Sequence, residues 1–569
     1  MTNSVAELEN AECIFIIGSN TTSSHPLVAT RIYRANEKGA KIIVADPRRI
    51  QMSSLAELTV HQKLGTDVAL LNGMMHVILK EGWHDPAFIE ERTEGLEAFS
   101  EIIEDYPPER AAEITGIDAA DIVRMAEIYA KADTASIVYC MGITQHTTGV
   151  DNVKSLANLA MLTGNVGRES TGVNPLRGQN NVQGACDMGG LPNVYPGYQQ
   201  VNMLDVQKKF EKAWDASLSD QIGRTVPEML SGLTDGSVKA LYIMGENPIQ
   251  SDPDTHHVEK ALKAAELLVV QDIFLTPTAE MAHVVLPGTS FAEKDGTFSN
   301  TERRVMRVRQ AVEPVGESRA DWQIIQEISD RFGYPMAYDS PEAVMREIAT
   351  LTPSYGGITY ERLEGEGLQW PCPDADHPGT KFLHSGAFAR GKGLFHAIEY
   401  RPPAENVDEE FPFWLSTGRV FAHYHTATMT RNSPTLDAEI REGFLEVHPE
   451  DAEKLGVLQG DRVTVSSRRG TITAKTAITD RVQQGLVFMP FHFIESNANV
   501  LTNPALTRLP RYRNSRSVRS DWKRLPEKAP GLFFPLPSSS FPCTAWEREE
   551  SSASRLTNGI VWFRIGPYP

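Results

Sequence analysis

The sequence predicts an α/β protein with two doubly wound halves followed by a C-terminal β-barrel domain. The first observation is a strand, loop, helix and second strand near the start of the chain, where CIFIIG and KIIVADPR are the two strands. The second is the return of this order of elements about 227 residues later, at ALYIMG and LLVVQDIF. The third is a series of short β-like runs from Phe411 onward, separated by turn residues, which is typical of a small barrel.

The two βαβ copies also agree in the spacing of their polar residues. Each has a glycine after its first strand, an asparagine two positions later and an acidic residue at the end of its second strand. These residues are Gly18, Asn20 and Asp46 in the first copy, and Gly245, Asn247 and Asp272 in the second. The first copy has no G-x-G-x-x-G, so it is not the usual NAD fingerprint. Because ligands of such folds bind at the carboxyl ends of the strands, the repeat predicts two related nucleotide-binding halves. The alternative for each aspartate is a helix or turn cap.

Composition predicts the order of the domains. We expect a first α/β domain over residues 1–178, a second and incomplete one over 179–334, a connecting region over 335–408, and the barrel over 409–506. Residues 507–569 are rich in Arg, Pro and Ser and have no sustained period, which predicts a disordered tail. The abrupt change of composition there also suggests a shifted reading frame.

Charge and cysteine usage exclude several classes of protein. A formal charge of −19 argues against a nucleic-acid binder, and no apolar run is long enough to predict a membrane span. The five cysteines are widely scattered with no C-x-x-C, so the chain encodes neither a structural zinc site nor an iron–sulfur site. Scattered cysteines and an acidic start without an apolar leader predict a cytoplasmic protein.

One polar, glycine-rich loop, Asn174–Gly189, is the strongest candidate for ligand binding. Its guanidinium and amide side chains are those of Arg177, Gln179, Asn180, Asn181 and Gln183. Such groups can bind carbonyls, ring nitrogens and phosphate oxygens together, which suits a large polar cofactor. The alternative is a solvated surface loop.

Several motifs together resemble a known family. They are MGITQHTTG (141–149), MLTGNVGRESTGVNPLRGQ (161–179), RGQNNVQGACDMG (177–189), MGENP (244–248) and VLPGTSFAEKDGTFSNTERR (285–304). These are similar to the molybdopterin dinucleotide oxidoreductases, and most similar to the catalytic subunits of formate dehydrogenases of the H type. QWPCPDADHPGT (369–380) and VLTNPAL (500–506) add to this likeness, which covers nearly all of residues 1–506.

The resemblance implies a molybdenum or tungsten ion held by two molybdopterin guanine dinucleotides, which oxidises formate to carbon dioxide. The cofactor-binding residues that it implies are Gly18, Asn20, Asp46, Arg48, Gln145, Gln179, Gly245, Asn247, Asp272, Thr417, Arg419, His423, Thr428, His492 and Asn503. Arg177 is implied as the catalytic residue that orients formate, since a guanidinium forms two parallel hydrogen bonds with a carboxylate. The alternative is a structural ion pair of Arg177 with Glu169 or Asp187.

The chain also departs from the family pattern. Complete members begin with a cysteine-rich domain that holds a 4Fe–4S cluster, and then supply a cysteine or selenocysteine to the metal. Met1 aligns after that ligand, so we assign no metal ligand here and expect an upstream segment or an iron–sulfur partner subunit to accept the electrons. The second α/β domain should lack its first part, which leaves edge strands open. The alternatives are a related enzyme such as a nitrate reductase, or a non-catalytic cofactor-binding fragment.

Overall fold

The first sheet is built from five parallel strands. The computed structural model describes residues 1–505 and the backbone of a strand at Val561–Pro567. In chain order, the strands of the first sheet are β1 Cys13–Ile17, β2 Lys41–Ala45, β3 Leu58–Val60, β4 Ala135–Tyr139 and β5 Gly172–Pro175. Their spatial order is β3-β2-β1-β4-β5. The continuous apolar run of β1 suits a strand that is buried on both faces, and every residue of β1 and of β4 is buried.

Helices cover both faces of this sheet, which confirms the predicted doubly wound arrangement. The helices are Pro26–Glu37, Asp67–Lys80, Pro86–Arg92, Leu96–Glu104, Pro108–Thr115, Ala119–Ala130 and Gly149–Leu162. Alternate residues of β1 enter the two cores. Ile14 and Ile16 pack with Ile32 of the first helix, whereas Phe15 packs with Leu70 and Ile122 on the opposite face.

The chain reverses its direction of travel across the sheet between β1 and β4, and the loops after these two strands meet there. Gly142 N donates to Gly18 O at 3.1 Å. A Cβ atom on Gly142 would lie 2.6 Å from Gly18 O, and one on Gly18 would lie 2.7 Å from the Gly142 carbonyl carbon. Gly18 also has φ of +56°, so both positions require glycine.

We expect Gly142→Ala to lower the free energy of unfolding by about 2 kcal/mol, because the added methyl group must push the two loops apart. Urea denaturation would measure the loss. Gly365→Ala is the matched control, since a Cβ atom there meets nothing within 4 Å and its stability should change by less than about 0.5 kcal/mol. Equal stability of the Gly142 variant and this control would show that the contact is not needed.

The second sheet repeats the local structure of the first. Its parallel strands are β6 Ala240–Met244, β7 Leu267–Asp272 and β8 Val284–Pro287, in the spatial order β8-β7-β6. Gly18 N donates to Ala45 O at 3.1 Å, and Gly245 N donates to Gln271 O at 2.8 Å. The following asparagine begins a four-residue helix in each copy, Thr21–Ser24 and Pro248–Ser251. The repeat predicted from spacing is therefore confirmed.

One face of the second sheet is exposed and apolar. Helices Val226–Asp235 and Thr255–Lys263 pack on the other face. The large apolar side chains on the open face that are at least 40% exposed are Tyr242, Met244, Leu267 and Val284. Because parallel sheets are almost always covered on both faces, this surface is unusual for a parallel sheet.

The region after the second sheet contains more regular structure than expected. Strands β9 Gly296–Ser299 and β10 Arg304–Val308 form an antiparallel pair, which β11 Leu368–Gln369 extends. Helix Leu204–Trp214 precedes the second sheet, and the helices after it are Asp321–Arg331 and Pro341–Leu351. The last of these lies in the predicted connecting region, and its start signal is present in the sequence. The Ser340 side chain accepts a hydrogen bond from Ala343 N, and Pro341 is the first helical residue.

A closed barrel follows, as predicted. Its strands are β12 Phe413–Gly418, β13 Phe444–Val447, β14 Arg462–Ser466, β15 Thr471–Ile478, β16 Leu486–Pro490 and β17 Val561–Pro567. Their order is β12-β16-β13-β15-β14-β17, and β17 closes the barrel by pairing with both β14 and β12. Short helices at Pro434–Glu439 and Pro449–Leu455 connect the strands.

The prediction of a disordered tail is wrong for residues 561–567. The run VWFRI is rich in β-branched and aromatic residues, which favours a strand, and the unpaired edges of β12 and β14 supply its partners. For residues 506–560 and 568–569 the prediction lies outside the described residues. Within residues 1–505 and 561–567, none of the helices has the length and apolar character needed to cross a bilayer.

Candidate active site

A cleft of about 1030 Å³ opens between the carboxyl edge of the first sheet and the barrel. Six of the predicted cofactor-binding residues line it: Gly18, Asn20, Asp46, Arg48, Thr417 and Arg419. The first four follow β1 and β2, and the other two lie at the end of β12. The cleft is at the reversal point of the sheet, which is where doubly wound folds bind their ligands.

A second cleft, of about 1340 Å³, continues the first toward the surface. The two clefts share Asn20, Arg48, Ile50 and Arg419, and the outer one adds Arg49 and Arg481. Four guanidinium groups along one groove favour a ligand with phosphate groups, since arginine binds phosphate through paired hydrogen bonds.

Two carboxylates line the inner cleft. Asp46 Oδ1 accepts from Arg48 N at 3.0 Å, and burial raises the pKa of Asp46 to about 6. Asp67 Oδ1 accepts from Gln62 Nε2 at 3.2 Å, and burial raises the pKa of this carboxyl group as well. At neutral pH an ionised carboxylate here would gain from a ligand that donates hydrogen bonds. The sequence analysis missed Asp67 and Gln62, because a carboxylate in the first turn of a helix already has a structural explanation.

Buried polar atoms around the cleft fit a large polar ligand. Among the described residues, Gln62 Oε1, Arg419 Nε and both amide atoms of Gln145 are buried and have no hydrogen-bond partner. Gln145 follows Gly142 in the same loop, and it was predicted as a cofactor contact. Since a buried polar group without a partner is costly, this set of donors and acceptors is suited to the amide, hydroxyl and phosphate groups of a pterin dinucleotide.

Arg48 joins the first sheet to the barrel. Its Nε and Nη2 atoms donate to Glu446 Oε2 and Oε1, both at 2.6 Å, and its guanidinium lies 3.7 Å from the ring centroid of Phe488. Glu446 is buried on β13. Arg48 therefore lines the cleft and also holds its two walls together.

We expect Arg48→Met to lower the free energy of unfolding by about 3 kcal/mol, because it leaves the buried Glu446 carboxylate without its main partner. Urea denaturation would measure this. Arg48→Met with Glu446→Gln should recover part of the loss, since the double variant has no buried charge to compensate. Arg49→Met is the matched control, because the ion pair of Arg49 with Asp480 is exposed and should contribute less than about 1 kcal/mol. A single-variant loss no larger than that of the control would contradict this role.

The polar loop lies where all three parts of the molecule meet. Arg177 O accepts from His25 Nε2 at 2.7 Å, and Arg177 N donates to Thr301 Oγ1 at 3.0 Å. A Cβ atom on Gly178 would lie 2.4 Å from Arg419 Nη1, so the loop passes directly over that guanidinium. His25 lies in the segment that connects β1 to β2, Thr301 lies in the turn between β9 and β10, and Arg419 lies in the barrel domain. Burial lowers the pKa of His25 to about 4, so the imidazole is neutral at pH 7.

The side chain of Arg177 is also held. Its Nε donates to Gln183 Oε1 at 3.3 Å, and Gln183 Nε2 donates to Asp187 Oδ1 at 2.9 Å. Asp187 is fully buried and lies at the end of helix Val182–Asp187. Its contact with Arg177 therefore runs through Gln183.

The other predicted site residues do not line the inner cleft. Gly245, Asn247 and Asp272 lie at the carboxyl edge of the second sheet. Asn247 is buried, and its Oδ1 accepts from Thr278 Oγ1 at 2.7 Å. Burial raises the pKa of Asp272, as it does for Asp46 in the first copy. Gln179 lies in the polar loop. The main-chain N of the next residue, Asn180, donates to Tyr424 OH.

The predicted barrel residues are tied to the protein itself. His423 contacts Thr430 Oγ1 and Ile440 O through its two ring nitrogens. His492 donates to His425 O, and its Nε2 accepts from Val420 N at 3.0 Å.

The two remaining barrel positions also have partners within the protein. Thr428 Oγ1 lies 2.9 Å from Thr426 Oγ1, and Asn503 Oδ1 accepts from Ala505 N at 3.0 Å. Contact of any of these four barrel residues with a cofactor stays a prediction. In residues 1–505 and 561–567, no group of three or more His, Cys, Asp or Glu side chains is arranged to hold a metal ion.

Family models match most of the chain. The molybdopterin oxidoreductase model matches residues 1–331, and the molybdopterin dinucleotide-binding domain model matches residues 413–518. The second match begins at β12 and continues past residue 506, the predicted end of the barrel domain. Both walls of the cleft therefore lie within the matched regions.

Curated relatives carry formate dehydrogenase names. The F420-dependent formate dehydrogenase subunit alpha of Methanocaldococcus jannaschii is 55% identical over 90% of this chain and 76% of its own length. Formate dehydrogenase H of Escherichia coli is 42% identical over 90% of this chain and 73% of its own length. These matches confirm the resemblance found in the motifs.

A solved structure agrees in fold. Acetylene hydratase from Pelobacter acetylenicus superposes with a TM-score of 0.67 at 19% identity, over 99% of this chain and 81% of that one. The family matches, the relatives and the cleft at the reversal point of the sheet agree, and the chain belongs to the molybdopterin oxidoreductase family.

Proposed function

We propose that this chain is the main part of a formate dehydrogenase catalytic subunit, which oxidises formate to carbon dioxide. The observation that carries the proposal is the position of Arg177. It is held by the first sheet's connections, by the β9–β10 turn and by Gln183, beside the Arg419 wall of the cleft. A guanidinium fixed in this way is suited to bind a small carboxylate through two parallel hydrogen bonds. The names of the relatives support formate as that carboxylate.

The proposed cofactor is molybdenum or tungsten with two molybdopterin guanine dinucleotides. When bound, this group supplies the two-electron acceptor for formate. We assign the inner cleft to one dinucleotide, with Asp46 and Arg48 on its first wall and Thr417 and Arg419 on the barrel. The second dinucleotide would lie along the carboxyl edge of the second sheet, at Gly245, Asn247 and Asp272. The domain boundaries near residues 178, 334 and 408 belong to the same proposal.

The chain's own residues bind and orient the substrate. With the cofactor bound, Arg177 would hold the formate carboxylate through two parallel hydrogen bonds from its planar guanidinium. The neutral His25 donates to Arg177 O, which fixes the main chain without adding a second positive charge.

We further propose that the exposed face of the second sheet is covered by a polypeptide that carries the 4Fe–4S cluster and the metal ligand. Tyr242, Met244, Leu267 and Val284 form an apolar surface on a parallel sheet, which water does not normally contact. The chain spans about three-quarters of the length of its formate dehydrogenase relatives, and the remaining quarter could supply such a cover. The four cysteines described are free thiols, which supports a reducing cytoplasm as the location.

Substrate assays test this proposal. The chain is co-produced with the cluster-bearing polypeptide in cells that make the cofactor, and the reduction of a viologen dye is followed. We expect formate-dependent dye reduction and no nitrate-dependent oxidation of the reduced dye. Nitrate turnover without formate turnover would instead favour a nitrate reductase. Turnover of neither substrate by a cofactor-loaded complex would favour a non-catalytic fragment.

A further inference from the structure

A buried carboxylate, that of Asp187, lies near the end of the polar loop in helix Val182–Asp187, and the proposed reaction makes no use of it. Asp187 has no exposed surface, and four side chains donate hydrogen bonds to it: Gln183, Tyr198, Tyr355 and Trp370. Gln183 and Tyr198 bind Oδ1, whereas Tyr355 and Trp370 bind Oδ2. A carboxylate with this many neutral donors is stabilised in place and has little freedom to turn.

Gln183 links this carboxylate to Arg177 with a fixed polarity. A guanidinium can only donate hydrogen bonds and a carboxylate can only accept them. The Gln183 amide between them must therefore direct its oxygen toward Arg177 and its nitrogen toward Asp187. The distances agree, at 3.3 Å from Arg177 Nε to Gln183 Oε1 and 2.9 Å from Gln183 Nε2 to Asp187 Oδ1. Gln183 is 3% exposed, so water does not compete for these bonds.

The main chain and the side chain of Arg177 are held by different groups. His25 and Thr301 bind its carbonyl and its amide, which fixes the position of its backbone. These contacts do not set the plane of the guanidinium. The bond from Nε to Gln183 does, because the three nitrogens of the group are coplanar.

We propose that Gln183 and Asp187 are positioning residues that hold the Arg177 guanidinium in the plane in which it binds the substrate carboxylate. This inference rests on the proposed role of Arg177. Tyr198, Tyr355 and Trp370 already supply Asp187 with donors on both oxygens. Asp187 therefore does not need Gln183 as a hydrogen-bond donor. The link through Gln183 serves instead to orient Arg177. Preorganisation of this kind lowers the ordering cost of binding a small ligand.

Chemical modification of Arg177 tests the inference directly. The full chain, purified with its cofactor, is treated with phenylglyoxal over a range of formate concentrations, and modification at Arg177 is measured by peptide mass spectrometry. In the wild type, formate should protect Arg177. Gln183→Met keeps the length of the side chain and removes the acceptor oxygen. It should raise the half-protecting formate concentration about tenfold, the lower end of the effect of losing a hydrogen bond to a charged group.

A second variant and a control separate orientation from stability. Asp187→Asn can present either its oxygen or its nitrogen to Gln183, so the amide turns over in part of the molecules and a smaller shift in the same direction is expected. If Gln183→Met does not fold, this variant carries the test. Gln199→Met is the matched control, because that amide binds Pro196 O and Leu351 O and no group of the polar loop. Its half-protecting concentration should stay within about twofold of the wild type.

The outcomes distinguish the two claims. Equal half-protecting concentrations in the wild type and the folded Gln183→Met variant would overturn the positioning role and leave the proposed role of Arg177 intact. A lower melting temperature with an unchanged half-protecting concentration would likewise show a structural role only. Failure of formate to protect Arg177 in the wild type would overturn the proposed substrate role, and the positioning inference with it.

Discussion

Arg177→Lys is expected to lower kcat/KM for formate by about 100- to 1000-fold, the usual cost of removing a preorganised donor from a reacting group. Lysine keeps the positive charge and loses the planar pair of donors, so charge alone would not rescue the reaction. The dye-reduction assay of the assembled enzyme measures the effect. Metal and pterin content should not change, because the loss is in substrate orientation and not in cofactor binding.

Arg331→Lys is the matched control for that experiment, since Arg331 is largely exposed on a helix far along the chain from the polar loop. Its kcat/KM should stay within about twofold of the wild type. If Arg177→Lys retained near-normal kcat/KM, formate would have to be oriented by another residue. The position of Arg177 would then no longer support the proposed function.

Arg303→Met is expected to lower the free energy of unfolding by about 4 kcal/mol. The Arg303 side chain is 2% exposed and donates to five main-chain carbonyls, those of Met1, Thr2, Trp370, Thr380 and Lys381. Burial lowers the pKa of Arg303 to about 10, so it stays protonated at neutral pH. Methionine fills the space and leaves the carbonyls without their donor, and each buried carbonyl that is not rebound costs about 1–3 kcal/mol.

Urea denaturation measures the Arg303 effect. Arg309→Met, on the same stretch of chain, removes an exposed ion pair with Glu364 and should cost less than about 1 kcal/mol. Because Arg303 binds Met1 and Thr2, its replacement should also expose the first residues to proteases. A loss no greater than that of the control would show that these carbonyls find other donors.

Local pattern predicted the parts of the fold that local forces decide. CIFII and ALYIM are strands because short apolar runs that contain β-branched and aromatic residues favour extended structure, and the glycine and asparagine after each take the same turn in both copies. Four of the predicted cofactor residues, Gly18, Asn20, Asp46 and Arg48, meet in one cleft because the parallel strands that they follow end at a common edge.

Long-range pairings could not be predicted in this way. Arg48 binds Glu446, which lies 398 positions away in the sequence. Asp187 accepts a hydrogen bond from Trp370, which lies 183 positions away. Nothing in the local pattern around these residues indicates a partner so far away. The helix Pro341–Leu351 and the strand Val561–Pro567 were missed for a different reason. Both carry ordinary signals, a capped start in the helix and β-branched and aromatic residues in the strand, in regions whose overall composition suggested little structure.

The stoichiometry of the cofactor tests the central claim most directly. The chain, co-produced with the cluster-bearing polypeptide, is analysed for metal, for oxidised pterin and for GMP released by acid. Two nucleotide-binding copies predict two pterins and two GMP for each molybdenum or tungsten ion per chain. A complex that contains no pterin, or metal and pterin without GMP, would contradict the assignment of one dinucleotide to each copy.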